Sequence, residues 1–522
     1  MKKKKHVQTP SRDSGDLHKS FSRGEIEDAI FQKVSLVGLV QHAINHSRKA
    51  MKQIFAAIFA ICLTTNALSI LEETVFVILS QSDLHHAKLA SDTKLRLERS
   101  AQSLNKPIGG VYDATKDLHQ HGSWTIFPLI LSLSGKLKLH HVKWFVFIDI
   151  NSGVDLPVLE TVLKSHQGDH FVGYELTDSS HTIIHHFQEP GSLKYPSFPC
   201  GFALSGDLIQ EVGFSLDQHG RMLDWLPSDF SIDAQFELSK ALSTRDPRHV
   251  LVHDPGFCIE KSENCAIYPV KTKECSDKSG STIEDLNRQT LFAIKTCEKY
   301  HFERLPIIKS TWAPFAKNTL FASDLADSSL GTVQLEGIEN TERGHCLKTM
   351  AIIKHFNQTS ASKGLKWLVI ADDDTILSVY RLLDYLQCYN PDEDIHLGQR
   401  YGYRIAYGSH GYDYITGGGA MVFSSAVVSK IVKSSSCKCK SKDAPDDMHL
   451  GACLSNLGIS LIHSPRFHQA RPEDYAEDYL KTNEPISFHK FWNTDPHKVY
   501  DTWFKTSDEA NLQKTVQQHE EL

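Results

Sequence analysis

Leu365-Lys-Trp-Leu-Val-Ile-Ala-Asp-Asp-Asp374 joins an apolar run directly to three aspartates. A short apolar run with polar residues on either side predicts a buried strand. A second segment, Val142-Lys-Trp-Phe-Val-Phe-Ile-Asp149, has the same form, with a Lys-Trp pair leading a strand that ends on an aspartate. The chain therefore carries two versions of one structural unit.

The surroundings of the two strands repeat as well. Each strand follows an earlier predicted strand and precedes three landmarks, and the intervals differ between the copies by at most seven residues. The pairs are the strands at 76–79 and 292–295, the segments 195–205 and 414–424, the aspartates at 229 and 447, and the histidines at 253 and 468. Because strands alternate with helical stretches such as 376–386, we predict two tandem α/β modules, at 72–260 and 288–500, joined by a polar linker at 261–287.

The aspartate triplet predicts chemistry in the second module. Adjacent carboxylates repel one another, and a divalent cation with hard oxygen ligands relieves this repulsion. Mg²⁺ and Mn²⁺ are held by carboxylates together with substrate phosphates, which favours a nucleotide diphosphate as ligand. A solvated acidic turn is the alternative. The first module has Asp149-Ile-Asn151 at this point, so we interpret it as a catalytically degenerate copy.

Three later motifs supply further candidates. Gly417-Gly-Gly419 would let a ligand approach the backbone, or would permit a tight turn. Pro445-Asp-Asp447 precedes a predicted helix, where an aspartate acts as a cap or a catalyst. His468 follows a predicted strand at 459–462 and is a structural residue or a ligand for a manganese-type ion.

Composition narrows the compartment and the partners. The net charge of −7 gives no electrostatic reason to expect nucleic acid. If Cys62 is removed with a signal peptide, ten cysteines remain, an even number that predicts disulfides in an oxidising compartment. A zinc site at Cys437-Lys-Cys439 is disfavoured because the usual two-residue gap is absent.

The two ends of the chain carry targeting patterns. Residues 51–69 have a basic flank, a short apolar core and small residues, as in a signal peptide, with 1–50 as an upstream extension. A signal anchor or a buried helix is the alternative, but the apolar run is short for a membrane span, so we expect no transmembrane helix in the mature protein. Within the tail at 501–522, His519-Glu-Glu-Leu522 is similar to retrieval signals of the endoplasmic reticulum, and an acidic frayed end is the alternative.

Taken in order, the motifs of the second half resemble the fringe-like β-1,3-glycosyltransferases. The resemblance covers residues 292–296, Arg304, Trp312, the aspartate triplet, the glycine run, Pro-Asp-Asp and Phe-His. It implies the nucleotide-sugar-binding, Rossmann-like α/β fold called GT-A, with Mn²⁺ and an inverting mechanism. The degenerate first module and the C-terminal Glu-Glu-Leu match the glucosyltransferase branch, which extends O-linked fucose on thrombospondin type 1 repeats.

The resemblance also implies roles for individual residues. Asp447 would be the general base, with Asp446 as the alternative. Manganese would be held by Asp374, Asp372 and His468. Six residues would bind the donor UDP-glucose: Asp372, Asp373, Thr296, Arg304, Gly417 and Gly418.

Two other functions fit the same residues. One is a fringe-like transferase with another UDP-sugar or another acceptor, because donor choice depends on pocket shape. The other is a non-catalytic lectin or folding factor of the endoplasmic reticulum. If the chain is a transferase, with UDP-glucose or with another donor, we hypothesise that the degenerate module helps to bind the acceptor protein.

Overall fold

The structure of the chain is a computed structural model. It describes Met51 and residues 69–510, apart from gaps at 119, 137–140, 217–228, 272–274, 276–280, 339, 342–343 and 406–410. Nearly all of the predicted signal peptide, the upstream extension and the C-terminal tetrapeptide lie outside these ranges. Within them, no helix combines the length and hydropathy needed to cross a bilayer.

The first half of the described chain, here the N-terminal module (residues 74–269), has one main sheet. Its strand order is β10-β5-β8-β3-β1-β2, with β8 antiparallel to β3 and β5. The strands are β1 (Thr74–Leu79), β2 (Gly110–Asp113), β3 (Trp144–Asp149), β4 (Ser152–Val154), β5 (Phe171–Gly173), β6 (Glu175–Leu176), β7 (Tyr195–Pro196), β8 (Phe202–Ser205), β9 (Phe230–Ser231), β10 (Val252–His253) and β11 (Ile267–Pro269). The helices are α1 (Leu84–Ser103), α2 (Phe127–Lys136), α3 (Leu156–Ser165), α4 (Gly206–Ser215) and α5 (Ala234–Arg245).

The second half, here the C-terminal module (residues 283–503), repeats this order as β14-β13-β12-β15-β20-β17-β21, with one extra edge strand. The strands are β12 (Thr290–Lys295), β13 (Thr319–Ser323), β14 (Thr332–Gln334), β15 (Trp367–Asp372), β16 (Thr375–Leu377), β17 (His396–Gly398), β18 (Arg400–Tyr403), β19 (Tyr412–Ile415), β20 (Met421–Ser424), β21 (Ile462–His463) and β22 (Ser487–His489). The helices are α6 (Ile283–Gln289), α7 (Leu305–Ser310), α8 (Cys346–Lys363), α9 (Val379–Leu386), α10 (Ser425–Lys433), α11 (Asp446–Asn456), α12 (Glu477–Thr482) and α13 (Pro496–Trp503).

Both sheets are buried on their two faces, which explains the continuous apolar runs that the sequence shows. On the C-terminal sheet, Phe292 and Val369 face one apolar cluster, while Leu368 and Ile370 face another. The predicted α/β class is confirmed. Two predicted elements are shorter than expected, because the helix at 376–386 begins only at Val379 and the strand at 459–462 begins at Ile462.

The two modules share secondary structure. β9 of the N-terminal module pairs with β18 in a three-stranded sheet whose third strand is β19. Trp124 Nε1 donates to Asp413 Oδ1 at 3.0 Å, and Tyr174 donates to Asp478 Oδ2 at 2.7 Å, so side chains join the modules too. Residues from Ser69 onward accordingly form one compact unit. The predicted domain boundaries remain predictions.

The cysteines partly match the expectation. Disulfides join 258 to 265, 275 to 388, 346 to 439 and 437 to 453. Cys437 and Cys439 are therefore both oxidised, which is consistent with the argument against zinc. Cys200 and Cys297 are buried free thiols, so the even count did not mean complete pairing.

Candidate active site

The candidate site lies at the carboxyl edge of the C-terminal sheet, where ligands of open α/β sheets bind. β12 ends on Lys295 and β15 ends on Asp372, and these two residues are partners in register. The aspartate triplet forms the turn after β15, and β22 ends beside it on His489. α11 begins with Asp446 and points its first turn at the same edge.

Lys295 is a buried ammonium between two carboxylates. Its Nζ lies 2.8 Å from Asp372 Oδ1 and donates to Asp446 Oδ2 at 2.6 Å. Burial opposes the charge, but the two carboxylates outweigh it and raise the pKa of Lys295 above its usual range. Burial likewise tends to raise the pKa of Asp446, yet Lys295 and a hydrogen bond from Thr349 lower that pKa to about 2. Asp446 is therefore held ionised and is a poor proton acceptor.

Asp447 has a different environment from its neighbour. Its Oδ1 accepts from the N–H of Met448 at 2.7 Å, and its Oδ2 accepts from the N–H of Gly417 at 3.4 Å. Burial and the negative charge of Asp446 raise the pKa of Asp447 to about 6. A carboxylate with a pKa close to neutrality suits general base catalysis.

Asp373 is bound by two residues that were predicted to contact the donor. Thr296 Oγ1 donates to its Oδ2 at 2.8 Å, and Arg304 Nη1 donates to its Oδ1 at 2.7 Å. Burial nevertheless raises the pKa of Asp373 to about 6. The guanidinium of Arg304 also lies 3.8 Å above the centre of the Tyr300 ring, which fixes its plane.

Asp374, Asp372 and His489 form a cluster that suits a cation. His489 Nε2 lies 3.1 Å from Asp374 Oδ1 and 3.7 Å from Asp372 Oδ2. Its Nδ1 lies 3.0 Å from the carbonyl oxygen of Gln469, so Nδ1 carries the proton. This arrangement directs Nε2 at the two carboxylates, where a metal would replace its proton, and metal-binding histidines are commonly oriented in this way.

The charge balance of the site also favours a cation. Five carboxylates share the site with two ammonium groups and one guanidinium: Asp372, Asp373, Asp374, Asp446 and Asp447 with Lys295, Lys348 and Arg304. One oxygen of Asp372, one of Asp374 and one nitrogen of His489 lie within 4.8 Å of one another. Two carboxylates and an imidazole form a donor set for Mn²⁺ or a similar ion, so the residues fit the predicted metal.

The glycine run makes room for this histidine. A Cβ on Gly418 would lie 2.4 Å from the His489 ring, so no larger residue fits there. A Cβ on Gly417 would meet nothing closer than Lys295 Nζ at 3.6 Å. The predicted contact of both glycines with the donor stays a prediction, whereas the need for glycine at 418 is a consequence of packing.

The structure does not bring His468 to the carboxylates. Its Nδ1 lies 3.0 Å from the carbonyl oxygen of Ser487, and its ring stacks on Phe488 with centroids 4.7 Å apart. Burial lowers the pKa of His468 to about 3. The histidine beside the metal cluster is His489, which the sequence analysis missed together with Lys295. A signal for each was available in the sequence. Lys295 ends a predicted apolar strand, and His489 ends a short one; both strands reach the same edge as the triplet.

A family model described as "Fringe-like" matches residues 286–510, which is the part of the chain that holds this site. Relatives extend the similarity over both modules. The chain is 39% identical over 452 residues to a beta-1,3-glucosyltransferase of Mus musculus, covering 86% of this chain and 89% of that protein. It is 40% identical over 458 residues to a beta-1,3-glucosyltransferase of Homo sapiens, covering 86% and 88%.

A more distant relative lacks this coverage. The beta-1,3-N-acetylglucosaminyltransferase radical fringe of Gallus gallus is 25% identical over 227 residues, covering 38% of this chain and 60% of that protein.

Proposed function

Because the chain belongs to the fringe-like glycosyltransferase family, together with the beta-1,3-glucosyltransferases that it matches over most of their length, we propose that it transfers glucose to O-linked fucose. The proposed donor is UDP-glucose. The proposed acceptor is the 3-hydroxyl of fucose on thrombospondin type 1 repeats. The donor sugar follows the names of the two glucosyltransferases, and the acceptor follows the resemblance of the motifs.

One observation supports a catalytic role above the others. Lys295 bridges Asp372 of the cation cluster to Asp446, the residue next to Asp447. The ammonium of Lys295 therefore lies between the cluster that fits a metal and the residue next to the proposed base, Asp447. The partners of Asp447 among the described residues are two backbone N–H groups, and its pKa is raised to about 6, which suits a proton acceptor better than a residue of a purely binding protein.

The proposed reaction is a single displacement. Asp447 accepts the proton of the fucose 3-hydroxyl while that oxygen forms a bond to the anomeric carbon of glucose. The bond from this carbon to the diphosphate oxygen breaks, and UDP departs with the electron pair. Attack from the face opposite the diphosphate converts an α-linked donor into a β-linked product.

Other residues hold the groups in place. Asp372, Asp374 and His489 would hold Mn²⁺, which supplies positive charge to the departing diphosphate. We thus propose His489 in the place that the motif comparison gave to His468. Arg304 fixes Asp373, and both lie where the donor would bind.

Transfer can be measured by the mass of the acceptor. The purified protein is incubated with Mn²⁺, a fucosylated thrombospondin repeat and UDP-glucose, UDP-galactose or UDP-N-acetylglucosamine in turn. We expect a gain of one hexose with UDP-glucose alone, and no gain after chelation or in Asp447→Asn. Transfer from a different donor would identify the related transferase. Acceptor binding without transfer from any donor would identify the lectin.

We also propose that the protein resides in the lumen of the endoplasmic reticulum. The support is the pattern at 51–69 and the terminal His519-Glu-Glu-Leu522, both in the sequence. Removing these four residues should move the protein from the cell lysate into the medium of expressing cells. Equal retention with and without them would contradict a retrieval signal.

A further inference from the structure

A cavity of about 590 Å³ lies between the two modules. One wall is the carboxyl edge of the N-terminal sheet, with Leu79 at the end of β1, Asp149 at the end of β3 and Asn151 in the following turn. The other wall comes from the C-terminal module and includes Arg400 and Tyr475. Its size falls in the range of roughly 300–1,000 Å³ that small-molecule sites occupy.

The position of the cavity in the N-terminal module corresponds to the position of the candidate active site in the C-terminal module. Leu79 is the register partner of Asp149, as Lys295 is of Asp372. Asn151 stands two residues after its strand-end aspartate, as Asp374 does. The cavity therefore lies at the same edge of the N-terminal sheet as the candidate active site does in the C-terminal module.

The residues that would hold a metal and a diphosphate are gone from this cleft. Pro269 ends β11 at the position where His489 ends β22. Asn151 is uncharged, and Leu79 brings no ammonium. The lining carries both signs of charge in nearly equal number: Lys271, Arg381, Arg400, Arg466 and Lys481 with Asp149, Asp233, Asp384 and Glu484. This near balance favours a neutral ligand over a diphosphate.

Buried polar groups line both walls. The Nε of Arg400 is shielded from solvent and donates no hydrogen bond within the described residues, while the carboxylate of Asp413 favours the charged form of the guanidinium. It lies 4.4 Å above the Trp124 ring, and burial lowers the pKa of Arg400 to about 10. Such an unpaired buried donor carries a free-energy cost that a ligand would remove.

The opposite wall offers complementary groups. Asp149 Oδ1 accepts from the N–H of Asn151 at 2.9 Å, and the half-buried carboxylate lines the cavity. The side chain of Asn151 is also half-buried and lines the same space, so its carboxamide can meet a ligand there. The lining also includes aromatic rings: Trp124, Tyr385, Tyr475 and Tyr479.

We propose that this cavity is a second, non-catalytic binding site for a neutral saccharide of one or two rings. A sugar hydroxyl donates and accepts at once, so it matches Arg400 as donor, Asp149 as acceptor and the Asn151 amide as both. The C–H face of a sugar ring packs on aromatic side chains, which line the same space. The described lining lacks counterparts of Asp374 and His489, so we expect this site to bind without turnover.

The cavity and the candidate active site share a wall. Gln399 lines the cavity, and its side-chain oxygen accepts from the N–H of Gln469. Gln469 Oε1 in turn accepts from the N–H of Gly419 at 3.0 Å, and its carbonyl oxygen lies 3.0 Å from His489 Nδ1. One layer of hydrogen-bonded residues therefore separates a bound saccharide from the proposed metal ligand.

The test is a saturation-transfer NMR titration of the intact lumenal protein with methyl β-glucoside and methyl α-fucoside. EDTA is present and donor is absent, so the result does not depend on the proposed transfer reaction. We expect at least one glycoside to bind. We also expect Asn151→Leu, which removes the amide and fills space, and Arg400→Gln each to weaken binding about tenfold, the effect of a lost hydrogen bond in a buried site.

The matched control is Asp374→Asn, which alters the candidate active site and should leave this binding unchanged. Thermal unfolding of all variants establishes that they are folded. Binding of neither glycoside would overturn the proposal. So would binding that Asn151→Leu and Arg400→Gln leave intact, which would place the sugar elsewhere. Metal-free binding of UDP that Asn151→Leu abolishes would make the cavity a nucleotide site and overturn it as well.

Discussion

The two modules place different residues at matching points of the same sheet order. In both, the aspartate that ends a central strand starts a turn, and its backbone N–H donates to the hydroxyl of the residue three positions later. The N–H of Asp372 donates to Thr375 Oγ1 at 3.1 Å, and the N–H of Asp149 donates to Ser152 Oγ at 3.0 Å. The backbone turn has therefore been kept in both copies.

The side chains around that turn differ. Where the C-terminal module has Lys295, Asp373, Asp374 and His489, the N-terminal module has Leu79, Ile150, Asn151 and Pro269. The glycines at 417–419 correspond in register to Phe198-Pro-Cys200, so the N-terminal module has larger side chains at these three positions. The strand-end aspartate thus belongs to the scaffold, while the charges that only one copy retains belong to the chemistry.

The sharpest test of this division is the base. Asp447→Asn should lower kcat by about 10²- to 10⁴-fold, the contribution of a positioned proton acceptor. Its melting temperature should change little, because asparagine can still accept from the N–H of Gly417 or Met448. Asp446→Asn, which breaks the pair with Lys295, should mainly lower stability. The assignment of the base would be reversed if Asp446→Asn abolished turnover and Asp447→Asn did not.

The next test makes the active copy resemble the degenerate one. Asp374→Asn installs the residue that the N-terminal module has at 151 and should lower kcat about a thousand-fold, equivalent to several kcal/mol of metal-derived stabilisation. Manganese titration of activity should show weaker binding. Asp149→Asn, an aspartate-to-asparagine change in the equivalent turn of the other module, should leave kcat within about twofold, the level expected for a residue remote from the chemistry. Equal losses in both variants would contradict the division.

A third variant replaces a buried residue of the C-terminal module by its counterpart in the N-terminal module. Lys295→Leu puts the equivalent of Leu79 between two carboxylates. It should lower the free energy of unfolding by about 3–5 kcal/mol, because an uncompensated buried charge remains. Denaturant unfolding measures this effect. Lys295 holds the pKa of Asp446 low, so the stability that this pair contributes is lost as Asp446 is protonated, and the destabilisation should shrink as the pH is lowered. An unchanged unfolding midpoint would show that the pairs contribute nothing.

The two histidines form a matched pair. His489→Ala should weaken the activation by Mn²⁺ about 10- to 100-fold, whereas His468→Ala should lower the melting temperature without changing the manganese dependence. Isothermal titration with Mn²⁺ distinguishes the two effects. A manganese dependence changed only by His468→Ala would restore the assignment made from the motif.

The smallest expected effect is in the pH profile. Because Asp447 has a pKa raised to about 6 and must be ionised to accept a proton, kcat should be constant above that pH. Below it, kcat should fall by about tenfold per unit of pH. A profile that stays flat down to pH 4, at which the melting curve shows the protein folded, would mean that another group accepts the proton.

Much of the architecture could be predicted from periodicity. The four long strands, at 74–79, 144–149, 290–295 and 367–372, were visible because each is buried on both faces and is therefore continuously apolar. The aspartate triplet was visible because three adjacent carboxylates at the end of such a strand have few structural uses. These features are local in sequence, and local patterns are what a single sequence displays.

The errors arose where distant segments meet. His489 reaches the triplet because β22 pairs with β16. The paired residues are more than a hundred positions apart, and no regular spacing in the sequence indicates that they meet. The landmark at Asp229 was a coincidence of spacing, since the helix equivalent to α11 begins after the cap Asp233. His253 ends β10 and so corresponds to His463 rather than His468.

The strand shared by the modules has a consequence during synthesis. β9 pairs with β18, and residues Phe230 and Ser231 meet Tyr403 and Gly402. At about 5–20 residues per second, the ribosome needs roughly 10–35 s to make the segment between these strands. Throughout that time the first half of the nascent chain offers an unpaired edge to chaperones, so a substitution that slows the second half should also expose the first half to degradation.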